Sequence, residues 1–98
     1  MHVAVSWDIS ASGDRWNAIN ERMKEGIRPY SWFKPLSAFY VVKINGEIDR
    51  QTIQSNLEKT AESMSEVVHF VISPIMSSSR YYGYLPKNMW EEINKRTD

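Results

Sequence analysis

Few residues of this chain combine a reactive side chain with a setting that favours chemistry. Asp8 ends an apolar stretch, where a carboxylate can cap the turn that follows. His2 lies at the start of the chain, and His69 lies within an apolar run, where a histidine is more often structural than a ligand. With no cysteine and two histidines, the composition argues against a dedicated zinc site. These residue types alone therefore identify no catalytic or metal-binding site.

Aromatic residues form a second group of candidates, for binding and not for catalysis. The chain has four Trp, five Tyr and three Phe. One cluster falls within eleven residues and contains Arg80, Tyr81, Tyr82, Tyr84 and Trp90. A second cluster lies between two prolines and contains Tyr30, Trp32 and Phe33. These residue types are enriched at the energetic centres of protein interfaces, but large rings also fill cores, so both interpretations stay open.

The composition narrows the class of protein. With 42% apolar and 24% charged residues, the chain has the make-up of an ordinary soluble domain. Twelve basic residues balance twelve acidic ones, which argues against a general nucleic-acid coat or a protein of anionic membrane surfaces. No apolar run approaches the roughly 18 residues that span a bilayer, and the first residues do not resemble a signal peptide. We therefore expect a cytoplasmic protein with no membrane partner.

Four segments have the pattern of β-strands. Val3, Val5, Trp7 and Ile9 alternate with other residues, which predicts a strand with one buried face. Residues 30–34 and 38–44 are predicted as two further strands, separated by a turn at 35–37 because a proline suits no central strand. The apolar run 67–72 predicts the fourth strand, and Pro74 ends it.

Three segments have helical spacing. Ser12 or Asp14 is predicted to cap a first helix that ends at Gly26 in a left-handed conformation. Asp49 is predicted to begin a second helix, with Ile48 and Ile53 forming a hydrophobic staple across its start. A short third helix is expected to open at Pro86.

The order of these elements is β-α-β-β-α-β followed by a helix. It predicts an α+β, ferredoxin-like split sandwich, in which an antiparallel four-stranded sheet carries two helices on one face. We expect one domain over residues 1–98, with a C-terminal extension at 76–98. The opposite face of the sheet then needs a cover, which the C-terminal segment, a second copy or a partner can provide.

The first strand ends in Trp7-Asp8-Ile9-Ser10, a helix ends at Gly26, Ser37-Ala38-Phe39 leads into the middle strand, and a helix begins at Asp49. Over about residues 2–75 this plan resembles the small CRISPR-associated ferredoxin-fold nucleases and their relatives, the virulence-associated D proteins. The resemblance implies a homodimeric endoribonuclease in which Asp8 is the candidate catalytic residue and binds Mg²⁺ across the dimer axis. It implies an RNA substrate, and Mg²⁺ is the only cofactor expected under this hypothesis.

The alternative is a small non-catalytic protein-binding domain that requires no cofactor, and this is the hypothesis we favour. The sequence places no second carboxylate near Asp8 and no tight cluster of Lys and Arg for a phosphate track. The predicted binding residues are Trp32, Arg80, Tyr81, Tyr82, Tyr84 and Trp90. A bacterial immunity or antitoxin protein is one such class, and a mild acidic excess around the second helix suits a basic toxin. The expected partner is another protein or a second copy of the chain.

Overall fold

Four strands and three helices follow one another in a computed structural model that describes residues 1–77 and 81–97. The elements are β1 (His2–Ile9), α1 (Gly13–Lys24), β2 (Trp32–Leu36), β3 (Phe39–Lys43), α2 (Glu47–Ser63), β4 (Val68–Ile72) and α3 (Lys87–Arg96). Within the described residues, no helix has the length and apolar character to cross a membrane.

The strands form one sheet in the order β2-β3-β1-β4, and every pair of neighbours is antiparallel. The central strands are therefore β1 and β3, and the edges are β2 and β4. This arrangement confirms the predicted α+β class and the antiparallel four-stranded sheet. It leaves β1 and β2, which α1 connects, separated by β3.

One face of the sheet packs against α1 and α2 because apolar residues recur at every second position of the strands. The buried cluster contains Val3, Val5, Trp7 and Ile9 of β1, Tyr40 and Val42 of β3, Ile44 just after it, Val68 of β4, Ile19 and Met23 of α1, Ile27, and Ile53 and Leu57 of α2. Trp7 stacks on Tyr40 with ring centroids 4.4 Å apart, and its indole N–H donates to Asn20 Oδ1 at 2.9 Å. The largest rings therefore fix β1 and β3 to each other and to α1.

The role predicted for Gly26 is wrong, and the structure gives the glycine another role. Among the glycines, Gly13 has the positive φ, 60°, so Gly26 is not the left-handed residue that closes α1. A Cβ on Gly26 would lie 2.9 Å from Leu57 Cδ2 and 3.3 Å from the carbonyl oxygen of Met23. Gly26 is small because α2 approaches the end of α1 at this point, a contact between segments that local sequence does not reveal.

The predicted caps of the helices are also corrected. Ser12 occupies the N-cap position of α1 but makes no side-chain capping bond. The second helix begins at Glu47 rather than Asp49, and the Asp49 carboxylate accepts a hydrogen bond from the Asn45 amide at 2.8 Å. Ile48 is 78% exposed, so the predicted hydrophobic staple does not stabilise this helix start.

The strand β2 lies two residues further along the chain than the pattern predicts, at Trp32–Leu36 instead of residues 30–34. Pro35 and Leu36 are predicted in a turn but lie within the strand, and the register with β3 shifts between Phe33 and Leu36. A proline is compatible with this position because β2 is an edge strand and its outer side needs no hydrogen bond. This shift matters for function because Pro35 and Leu36 lie beside residues 81–85.

An ion pair ties the start of α1 to the residues before β4. Arg15 Nε lies 2.5 Å from Glu66 Oε2, and Arg15 Nη2 lies 2.8 Å from Glu66 Oε1. This two-point contact with the guanidinium lowers the pKa of Glu66 to about 2. The pair joins the segment that follows β1 to the segment that precedes β4, at the same end of the sheet as Asp8.

Candidate binding groove

The C-terminal residues 81–97 cover part of the second face of the sheet, the face away from α1 and α2. Ile93 of α3 is buried, and the Arg96 guanidinium lies 5.8 Å from the centre of the Phe33 ring of β2. The segment thus supplies some of the cover that this face was predicted to need. It lies over β2 and β3, whereas Val71 of β4 remains 73% exposed.

Tyr81 attaches this segment to the sheet. Its hydroxyl lies 3.0 Å from Nε2 of His2, which is fully buried, and its ring meets Phe39 edge-on at 6.1 Å. Burial, with a smaller effect from the N-terminal ammonium group, lowers the pKa of His2 and favours the neutral imidazole. Tyr81 is therefore a packing residue as well as a member of the predicted aromatic cluster.

A groove opens between this segment and the edge of the sheet. Its volume is about 390 Å³, and it is lined by Pro35, Leu36, Phe39, Tyr81, Tyr82, Gly83, Tyr84, Leu85, Trp90 and Ile93. None of these residues is charged. We call this feature the aromatic groove.

The rim of the aromatic groove exposes large side chains of types that are usually at least partly buried. Tyr84 is 100% exposed, Tyr82 is 89% exposed and Leu36 is 56% exposed. Trp90, by contrast, is half-buried and lies beneath Gly83. Half-buried rings thus lie beside fully exposed ones. A partner's apolar side chain that inserts between them would be shielded from water on both sides.

The structure brings some of the predicted binding residues together and separates others. Tyr81, Tyr82, Tyr84 and Trp90 line one groove. Trp32 lies on the other face, where its ring meets Tyr40 edge-on at 5.4 Å and packs against the core. The predicted residue Arg80 lies outside the described residues. The strand residues Pro35, Leu36 and Phe39 were missed, because the pattern assigned the first two to a turn.

Asp8, the candidate catalytic residue, lies on the part of the second face that α3 leaves open. It is exposed, and the register of β1 and β4 sets it directly opposite His69. The amide of Ser10 donates to the carbonyl oxygen of Val67 at 2.9 Å, so that amide does not cap the Asp8 carboxylate. Across residues 1–77 and 81–97, no three His, Asp or Glu side chains are grouped to hold a metal ion.

Among the described residues, Asp8 belongs to no group of three carboxylates or imidazoles that could hold Mg²⁺ within one chain. Asp8 contributes one carboxylate, and Ser6, its neighbour along the same face of β1, donates its hydroxyl proton to the carbonyl oxygen of Ala38. Since Mg²⁺ prefers several oxygen ligands in octahedral geometry, one copy of the chain supplies a small part of its shell. A second copy related by a twofold axis would add another Asp8 carboxylate to such a site.

Comparison with protein-family models, curated proteins and solved structures found no match for this chain. The functional argument therefore depends on the geometry of the aromatic groove and of the open face around Asp8.

Proposed function

We propose that this chain is a small non-catalytic protein-binding domain with a ferredoxin-like fold, and that the aromatic groove is its recognition surface. The fold proposal is supported by the strand order β2-β3-β1-β4 and by helices that connect β1 to β2 and β3 to β4. A split pair of βαβ units has this arrangement.

The observation that carries the binding proposal is the exposure of three large apolar side chains around one groove. Tyr82, Tyr84 and Leu36 stand at its rim while Trp90 and Phe39 form its half-buried floor. Exposed tyrosines add large contact area with few rotatable bonds, so ordering them in a complex costs little entropy. A partner that inserts an apolar side chain between them gains the burial that the free domain lacks.

Within this function, an inhibitor of a protein toxin is the class we favour. Such a protein acts by covering its partner and needs neither a metal ion nor a reactive side chain. The acidic residues of α2, which include Asp49, Glu58 and Glu62, outnumber the basic ones, Arg50 and Lys59. Because α2 lies on the other face of the sheet from the aromatic groove, this excess would attract a basic partner at long range without contacting it.

Site-specific photo-crosslinking tests the binding proposal and identifies the partner in the same experiment. A photoreactive phenylalanine analogue replaces Tyr84 in the cells that naturally produce the protein. The matched control places the same group at Ile48, which is also apolar and exposed but lies at the start of α2. We expect one discrete protein adduct from position 84 and none from position 48.

Two further results decide the interpretation of that experiment. Adding Leu36→Ser on the opposite rim should greatly reduce the adduct, because the change removes an apolar wall of the groove. Absence of an adduct at position 84, or equal adducts at both positions, would contradict a specific partner at the aromatic groove.

A metal-dependent endoribonuclease is the second candidate, favoured by one observation. Asp8 is exposed at the end of β1 on an uncovered surface, opposite His69. Two copies related by a twofold axis could each supply Asp8 to one Mg²⁺, which would stabilise charge on a phosphate. RNA cleavage in Mg²⁺ that Asp8→Asn abolishes and Asp14→Asn preserves would establish this function. Wild-type protein that leaves RNA intact in Mg²⁺ and in Mn²⁺ would exclude it.

A further inference from the structure

The strand β4 has an outer side with no neighbouring strand in the described part of the chain. The Ser73 amide donates to Ala4 O, and Val67 O accepts from Ser10, both at 2.9 Å. Backbone groups alternate in direction along a strand, so Val68, Phe70 and Ile72 direct their N–H and C=O groups away from β1. One more strand could form backbone hydrogen bonds with these outward-directed N–H and C=O groups.

The opposite edge of the sheet is protected, and β4 is not. On β2, Lys34 and Pro35 interrupt the edge and the register with β3 is irregular. On β4, five consecutive residues pair with β1 without a shift, and none of them is proline, aspartate, glutamate, lysine or arginine. Charges, prolines and bulges are the usual means of blocking an edge. Their absence from β4 indicates that this edge is available for pairing.

A groove runs beside this edge and is acidic on its helix side. It has a volume of about 380 Å³ and is lined by Glu58, Ala61, Glu62, Val68, His69 and Phe70. Glu58 and Glu62 are exposed, and neither forms a salt bridge among the described residues. Lys59, the cation between them in sequence, does not line the groove. An added strand would therefore meet negative charge on the side of α2.

We propose that β4 binds an extended, basic segment of another protein as a fifth strand. Partner residues opposite Val68 and Phe70 point toward α2, where long cationic side chains reach Glu58 and Glu62. The residues between them point to the other face of the sheet, where Val71 is 73% exposed. The segment is thus recognised by an alternation of Lys or Arg with apolar residues.

Charge argues for this occupant and against a second copy of the chain. Pairing of β4 with β4 about a twofold axis would bring Glu58 and Glu62 of each copy beside the same residues of its partner. Like charges at an interface disfavour association. A basic segment, by contrast, is attracted to the same residues.

Fluorescence anisotropy with labelled peptides tests the proposal. The probe peptide has about eight residues and alternates Arg with Val, and a control peptide alternates Glu with Val. Two further probes carry N-methyl groups on all Arg or on all Val residues. Only alternate residues of an added strand donate to β4, so N-methylation of one set should abolish binding and that of the other set should preserve it.

Variants of the full chain supply the second part of the test. Glu58→Gln with Glu62→Gln should weaken binding of the Arg-Val peptide by about fivefold or more at low salt. Glu25→Gln with Glu91→Gln removes the same charge elsewhere and should change affinity less than twofold, on the order of a remote surface charge. Tyr84→Ala should leave this binding unchanged, which separates the β4 proposal from the aromatic groove.

Hydrogen exchange locates the bound peptide. The amides of Val68, Phe70 and Ile72 should gain protection, and those of β2 should not. Absence of binding, equal binding of the acidic peptide, or equal loss with both N-methylated probes would overturn the proposal. Protection of these three amides in a dimer of the free protein would assign the edge to a second copy and would also overturn it.

Discussion

Shortening Tyr81 to alanine is expected to destabilise the fold far more than shortening Tyr84, although the two residues are three positions apart. Tyr84 is fully exposed, whereas Tyr81 is half-buried and its hydroxyl lies 3.0 Å from Nε2 of the buried His2. The same segment of chain therefore holds one residue that stabilises the domain and one that is available to a partner.

The magnitude follows from the contacts that each change removes. Tyr81→Ala leaves a buried imidazole nitrogen without this hydroxyl, which costs about 1–3 kcal/mol. It also removes the edge-on contact with Phe39, worth about 0.5–1.5 kcal/mol. We therefore expect a loss of about 2–4 kcal/mol and a fall in melting temperature of at least about 8 °C. Tyr84→Ala should change the melting temperature by less than about 4 °C.

Thermal melts followed by circular dichroism, with urea titrations of the same proteins, measure these effects. Tyr81→Phe keeps the ring and removes the hydroxyl, so it should lose about 1–3 kcal/mol and be less destabilised than Tyr81→Ala. A Tyr84→Ala protein that melts as low as Tyr81→Ala would refute the assignment of Tyr84 to an exposed rim. A Tyr81→Ala protein as stable as the wild type would refute the role of Tyr81 as the attachment point.

Two further predictions concern packing and pH. Gly26→Ala should lose about 1–3 kcal/mol in urea titrations, because its Cβ would lie 2.9 Å from Leu57 Cδ2. Gly46→Ala, where a Cβ meets nothing within 4 Å, should lose clearly less, and equal losses would contradict overpacking as the cause. Because burial lowers the folded-state pKa of His2 below its usual 6.5, the unfolded chain binds a proton first as pH falls. The contribution of His2 is therefore complete above pH 6.5 and is lost as pH falls through the folded-state pKa. The stability of His2→Gln should fall less than that of the wild type between pH 7.5 and about pH 5, and an equal fall would assign the pH dependence to other groups.

The sequence predicted the elements well where the pattern is local. Alternation along β1 and the apolar runs of β3 and β4 predicted three strands within a residue or two of their limits. The α+β class and the antiparallel sheet followed from the order of the elements. In these segments, the alternation of apolar residues and the high content of β-branched residues both favour a β-strand.

The errors arose where distant segments meet. Gly26 suggested a helix cap, but the residue that determines its size is Leu57, which lies on another helix. Pro35 suggested a turn, yet the edge position of β2 accommodates it, and Leu36 was missed as part of the aromatic groove for the same reason. Local pattern contains no information on either contact.

The residues of the aromatic groove were also predictable only where the relevant contacts lie close together in the sequence. The cluster of Tyr82, Tyr84 and Trp90 was visible as a concentration of interface-type residues. The separate role of Tyr81 was not, because its partner His2 is 79 positions away in the chain. Trp32 belonged to an aromatic cluster by sequence but faces the core, since its ring packs edge-on against Tyr40 on the other side of the sheet.

The affinity of the domain for the protein crosslinked at position 84 tests the central claim most directly. Its dissociation constant is measured by calorimetry for the wild type, for Tyr84→Ala and for Ile48→Ala. We expect Tyr84→Ala to weaken the complex by about 30-fold or more, the scale of about 2 kcal/mol at an interface centre, with an unchanged melting temperature of the free domain. Ile48→Ala should bind like the wild type. An unchanged dissociation constant for Tyr84→Ala would contradict recognition through the aromatic groove.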